Sequence, residues 1–554
     1  MLVAETGHLA GGATEATAPP LPAESVWQAA RAQANTVGLS RNQVAPRFPE
    51  RSLLASCADA ALKWPDHPSL CSDGRMVTYR QLWNVIQHIA GRIDQSGAPD
   101  SPVAIMLEDA LLYSAAMLGV LAVGRVVLPI DMSNPPARNL GIMEAAGVSL
   151  VLASPGHSPA PAVNGVRYLV LDDADLTPQS YPLTEQADTV SLDAPAILIA
   201  TSGSTGAPKL VVHGHRGMGH RGDLLGGWSN LSHDDRIVYG ASSPGALPGI
   251  TNMFASIFVG GTLHHVDLRK VGLRGLMDCL RRDRITFLRA TPSLMRAIAA
   301  MRDAPAALAH LRCLRLSGEA PLWSDVVLLR PILPPGCLIL NTYGSTESLY
   351  FDWRPAASDA VGTGSLPAGR MDPGGEMVLL AEDGSVCPNG EVGELVVRSR
   401  YLALGEWREG RCVAGRLFVD SVDPSCRIYF TGDLGRISAD GDLIVLGRQD
   451  RQLKINGLRV ELGEIEATIH ALGGIRDAVV LPIERHGATT LLAFVVLDPA
   501  RAAPSAASLR EALRDRLPVH MLPSRVVLVD TLPRLSTAKV DRAALLKLAD
   551  SPNP

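Results

Sequence analysis

Nine consecutive residues, Thr201-Ser202-Gly203-Ser204-Thr205-Gly206-Ala207-Pro208-Lys209, place four hydroxyls and two glycines within six positions, with a lysine close behind. Glycine tolerates the dihedrals that turn successive backbone N–H groups toward one anion, and it leaves room for close approach. The lysine adds a mobile positive charge, and a triphosphate is the guest such a loop suits. The spacing differs from the Gly-x4-Gly-Lys-Ser/Thr of the common P-loop. A solvated Ser/Gly turn is the plain alternative.

Four further stretches carry groups able to hold a nucleotide. Ser317-Gly318-Glu319-Ala320 follows an apolar strand and offers a floor for a flat ring. In Asn341-Thr342-Tyr343-Gly344-Ser345-Thr346-Glu347, the tyrosine can stack on a purine, the threonine can bond a phosphate and the glutamate can hold Mg²⁺. Asp433, in Tyr429-Phe430-Thr431-Gly432-Asp433, can accept both hydroxyls of a ribose. The run from Gly447 to Gly457 holds Arg448, Asp450 and Lys454. Taken singly, each reads equally as a turn, a cap or a surface ion pair.

The elements that must position these groups alternate. Ala196–Ala200, Val103–Leu107, Val126–Ile130, Ile237–Tyr239, Thr262–Val266, Ile285–Leu288, Cys313–Ser317 and Leu338–Leu340 read as strands, and helical patterns fall between many of them. Such alternation predicts layered α/β structure with largely parallel sheets. From Gly393 the chain turns strand-rich, suggesting a small barrel, and a boundary falls near Arg448–Gln452. A compact α+β stretch follows, with a helix over 462–472, strands over 478–481, 491–496 and 526–529, and a helix over 508–517. The expected division is a flexible extension over 1–45, a large core over 46–448, a small mobile domain over 449–546 and a tail over 547–554.

The chain has 554 residues, 47 % hydrophobic and 19 % charged, with a net charge of −5, enough for several packed domains and unlike a nucleic-acid surface. Its eight cysteines form no C-x-x-C pair, so structural zinc is not expected and a reducing cytoplasm fits better than a disulfide framework. No signal peptide is evident, and the apolar run from Ala110 to Gly124 is too short to cross a bilayer.

In this order, the five stretches resemble the acyl-adenylate-forming superfamily: acyl-CoA synthetases, luciferases and the adenylation domains of nonribosomal peptide synthetases. The likeness is greatest to the last group and runs from about residue 48 to 546. Gly124–Asp131, Gly390–Leu395 and Arg534–Arg542 add to it. The resemblance implies that Thr201–Lys209 hold the phosphates of ATP, that Ser317–Ala320 and Tyr343 enclose adenine, and that Thr346 contacts the α-phosphate. It further implies that Glu347 binds Mg²⁺, that Asp433 takes the ribose hydroxyls with Arg448 nearby, and that Asp450 is the hinge. Lys539 reaches in during adenylation, while Lys454 and Gly457 belong to the face used for thiolation. The activated acid passes to the phosphopantetheine thiol of a separate carrier protein, or to CoA, because no carrier domain is expected after residue 546.

Three departures matter. The family's usual Tyr-Gly-Pro-Thr-Glu has Ser345 here, and Ala538 replaces a glycine before the late lysine. In the substrate pocket, which the resemblance places at Ala246, Leu247 and Gly344, amino-acid-activating members carry an aspartate for the substrate ammonium. Counting back from Gly260 puts Leu247 there, and no acid lies between Ala241 and Ile257. A buried ammonium without a carboxylate is costly. The expected substrate therefore lacks a free α-ammonium, unless an acid such as Asp352 supplies the charge and an amino acid is activated. A nucleotide-binding scaffold without catalysis is the reading of a different class. His213, His215 and His220 suit packing or substrate contacts better than a metal.

Overall fold

The computed structural model describes residues 24–28, 51–157, 165–184, 186, 190–201, 208–239, 245–353, 364–371, 374–449, 452–455, 457–485, 488–498, 504–533 and 542–550. Two large sheets organise it. The first runs, edge to edge, through Arg370–Met371, Tyr350–Trp353, Leu338–Gly344, Cys313–Ser317, Phe287–Ala290, Arg236–Tyr239, Thr262–His265, Pro68–Ser72 and Arg75–Thr78. From Leu338–Gly344 to Pro68–Ser72 the pairs are parallel, and the strands beyond at either edge are antiparallel. The second contains Val103–Met106, Val127–Pro129 and Pro195–Thr201 in parallel, then Lys209–Gly214 antiparallel to the last.

Helices between the sheets follow local chemistry. Tyr79–Gln95 opens with a capping box between Thr78 and Gln81, and Leu82, Ile86, Ile89 and Ile93 lie on its buried face. It packs against Ala110–Ala122, which is buried all along from Leu111 to Leu121. That full burial explains why the apolar run has no polar face, and among the described residues no helix is long and apolar enough to cross a membrane.

The strand-rich part does not close into a barrel. Gly375–Leu380, Gly393–Ser399, Arg427–Ile437 and Leu417–Val419 form an open sheet, with Leu443–Arg448 paired to Arg427–Ile437. Residues 24–28 are helical, and Trp27 is buried against Val378, Leu380, Val396 and Ile428 of this sheet.

After Leu443–Arg448 the chain enters separate sheets. Gln452–Ile455 and Leu458–Glu461 form a hairpin, and Ile475–Arg485, Ala488–Leu497 and Arg525–Leu528 form a three-stranded sheet. Helices Leu462–Ala471 and Ala506–Arg514 contribute to the apolar core of this part. Most strand ends differ from the sequence pattern by a residue or two, but Leu338–Gly344 was expected to stop at Leu340 and Ile475–Arg485 to cover only 478–481, and Phe287–Ala290 was expected to stop at Leu288.

Candidate functional site

A cavity of about 1420 Å³ lies where the carboxyl ends of parallel strands meet the hairpin of the small C-terminal part, the usual place for a ligand in an open α/β sheet. Thr201 ends one strand and Ser317 another, followed by Gly318, Glu319 and Ala320, and all five line the cavity. Tyr343 and Gly344 close a third strand, with Thr346 just beyond. Asp433, Arg448, Ala246 and Leu247 also line it, as do Lys454 and Gly457 from the hairpin. Ser202, Gly203, Ser204, Thr205, Gly206, Asp450 and Lys539 lie outside the described residues.

The groups are tied to one another. The Tyr343 hydroxyl donates to Asp433, whose other carboxylate oxygen accepts from Arg448 Nη1 at 2.9 Å. Lys454 Nζ donates to the Gly344 carbonyl at 3.1 Å and lies 5.9 Å from the Tyr343 ring centre. Glu319 Oε2 accepts from Ser293 N at 3.1 Å and Ser293 Oγ at 2.6 Å, so this carboxylate caps the helix Pro292–Ala299.

Glu347 and Lys209 sit just behind the lining. Glu347 is fully buried, and its Oε1 accepts from Arg459 Nη1 at 2.8 Å and from Lys209 Nζ at 3.4 Å. Burial alone would raise this carboxyl, but Arg459 and Lys209 outweigh it and hold it down at about 2. Lys209 also pairs with Glu406 at 2.9 Å, and Arg459 with Glu461 at 2.9 Å. Glu347 Oε2 is buried and has no hydrogen-bond partner among the described residues. An ionised carboxylate with one orphaned oxygen fits a hard divalent cation.

Arg459, Glu406, Arg221, Arg289 and Tyr350 were not singled out from the sequence. Arg221 lies on helix His215–Trp228 and donates to the Thr346 carbonyl at 3.2 Å and to that of Ser348. A charged residue inside an apolar strand, as at Arg289, was the available signal. The histidines separate: burial takes His213 to about 3, His215 Nδ1 accepts from Leu53 N at 3.4 Å, and the His220 ring stacks on Tyr401 at 3.6 Å.

Comparison with known proteins places this geometry in a class. Residues 57–407 match the AMP-binding enzyme family and residues 464–539 its C-terminal domain. The chain belongs to the AMP-binding enzyme family. It is 32 % identical to phosphinothricin tripeptide synthetase PhsC of Streptomyces viridochromogenes, over 89 % of this chain and 45 % of that protein. It is 34 % identical to an isonitrile lipopeptide synthase of Streptomyces coeruleorubidus, over 90 % of this chain and 34 % of that one. The chain thus spans less than half the length of these curated relatives. Among solved structures it resembles holo-PA1221, an NRPS protein containing adenylation and PCP domains bound to a vinylsulfonamide inhibitor, with 25 % identity, a TM-score of 0.75 and coverage of 90 % of this chain and 84 % of that one. The amide bond synthetase McbA from Marinactinospora thermotolerans shares the fold at 20 % identity, with a TM-score of 0.75 and coverage of 90 % and 99 %.

Proposed function

We propose that this protein activates a carboxylic acid as its acyl-adenylate and passes the acyl group to the phosphopantetheine thiol of a separate carrier protein. The observation that carries this reading is the convergence of Tyr343, Thr346, Asp433 and Arg448 with Lys454 and Gly457 on one cavity. In this reading Asp433, held by Tyr343 and Arg448, accepts the ribose hydroxyls. Ser317–Ala320 and Tyr343 enclose the base, and Thr201 with the loop up to Lys209 faces the phosphates. The substrate carboxylate attacks the α-phosphorus and pyrophosphate leaves. Thr346 contacts the α-phosphate. Glu347 would hold Mg²⁺, which would offset charge on the phosphate oxygens. The remaining task is alignment, which a closing domain supplies.

The division proposed for the chain is a core ending at Arg448 and a small domain starting at Gln449. Leu443–Arg448 belongs to the open sheet of the core, and the hairpin begins at Gln452. Asp450, between them in the sequence, is the proposed hinge. In the present arrangement the hairpin, which carries the proposed thiolation face, is turned to the cavity. Gly457 has φ +78°, and a Cβ there would stand 2.9 Å from Thr291 Cγ2. Gly457→Ala is expected to slow acyl transfer to the thiol about tenfold through this strain and crowding. Single-turnover transfer from preformed adenylate measures it.

Asp352 does not serve an amino acid substrate in this reading. Its carboxylate is taken by Arg315 and by Thr342 Oγ1 at 2.5 Å. The test is ATP–pyrophosphate exchange with a panel of amino, hydroxy, keto, aryl and short acyl acids, followed by acceptor assays with a phosphopantetheinylated, unacylated carrier protein and with CoA. Exchange with a non-amino acid and transfer to the carrier support the proposal. Tight ATP binding without exchange for any acid would favour the scaffold.

A further inference from the structure

Arg289 lies in the strand Phe287–Ala290, beside Arg315 of the next strand. It is 3 % exposed and lines the cavity. Its Nε donates to Ser317 Oγ at 3.0 Å, while its Nη1 is buried and has no hydrogen-bond partner among the described residues. A guanidinium removed from water is costly until an anion meets it, and its planar fork suits a carboxylate.

Among the described residues no carboxylate pairs with Arg289, although the Tyr350 phenol hydrogen-bonds to it. Asp352 is already held by Arg315 and Thr342. Glu347 is held by Arg459 and Lys209. Instead, a second guanidinium is near: Arg221 lies 4.9 Å and Arg289 5.3 Å from the centre of the Tyr350 ring. Tyr350 itself lines the cavity. Burial would raise its phenol, yet these two arginines outweigh burial and take it down to about 7, which reports how positive this end of the cavity is. At the start of helix Leu247–Val259, the lining residues Ala246, Leu247 and Pro248 carry no charge. The cavity thus offers a cation for an anionic substituent.

We propose that the substrate carries a second acidic group besides the carboxylate that is activated, and that Arg289 pairs with it. Arg289 is then a specificity-determining residue that touches substrate. The inference rests on the ligase reading above. The second group is a carboxylate, so the substrate class is the dicarboxylic acids, aliphatic or aryl.

Pyrophosphate exchange on the unaltered protein tests this with size-matched acids: succinate against butyrate, glutarate against pentanoate and isophthalate against 3-methylbenzoate. At least one diacid is expected to exceed its monoacid about a hundredfold in kcat/KM, because a site built around a buried charge is left unpaired by the analogue lacking it. Arg289→Gln is expected to remove that preference and Arg289→Lys to retain part of it. Should Arg289→Gln fail to fold, the wild-type ratios and Arg289→Lys decide. Exchange with the monoacids at equal or greater kcat/KM, or a preference that survives Arg289→Gln, would overturn this inference and leave the ligase reading intact. Exchange with no acid of any kind would remove both.

Discussion

Lys539→Ala is expected to slow adenylate formation about a thousandfold while leaving transfer from a supplied adenylate within about threefold of the unaltered protein. The reason is chemical. Carboxylate and triphosphate are both anions, so attack at phosphorus requires cations aimed at oxygens that gain charge only in the transition state. In the proposed reading, a lysine from the small domain would contribute only when that domain has brought it in, and the face holding Lys454 and Gly457 would serve the other step. Pyrophosphate exchange reads the first half-reaction, and single-turnover thiolation from synthetic adenylate reads the second. Equal loss in both would refute the division of labour.

Glu347→Gln is expected to lower exchange by about a hundredfold, with no recovery at raised Mg²⁺. The amide keeps the shape but loses the charge that the orphaned Oε2 offers, and it leaves Arg459 and Lys209 facing a neutral group. The same substitution has a signature in stability. Arg459 and Lys209 take the Glu347 carboxyl from the ordinary 4.5 to about 2. A carboxyl lowered on folding stabilises fully above its unfolded value, and that contribution is lost as pH falls toward the folded one. Thermal melts of the unaltered protein should therefore fall between about pH 4.5 and 2, and Glu347→Gln should flatten that part of the acid limb. An identical acid limb in the two proteins would show that Glu347 is not held by these cations in solution.

The sequence showed the frame of the site clearly because its parts are local. Thr201 and Ser317 follow apolar runs that read as buried strands, and Tyr343 and Gly344 end another, with Thr346 and Glu347 just beyond. The helix at Ala110–Ala122 was legible from its uniform apolarity. What escaped was set by residues distant in the chain. Arg289 gains meaning only when Ser317 and Tyr350, from two other strands, close around it. Arg459 is an ordinary hairpin arginine until the hairpin meets Glu347, 112 positions away. The Leu247 inference pointed to a pocket without an acid, yet it did not reveal the opposite charge that stands nearby. The open sheet was mistaken for a barrel because strand periodicity carries no record of closure.

Trp27 has a practical corollary. Its indole is 1 % exposed, covered by side chains of the open sheet, and Arg398 lies over its ring at 5.8 Å while also approaching Glu24 at 3.9 Å. The smallest unit that folds with its surface intact therefore starts upstream of Glu24. Trimming the chain to the first large helix at Leu53 would strip an apolar patch bare and invite self-association.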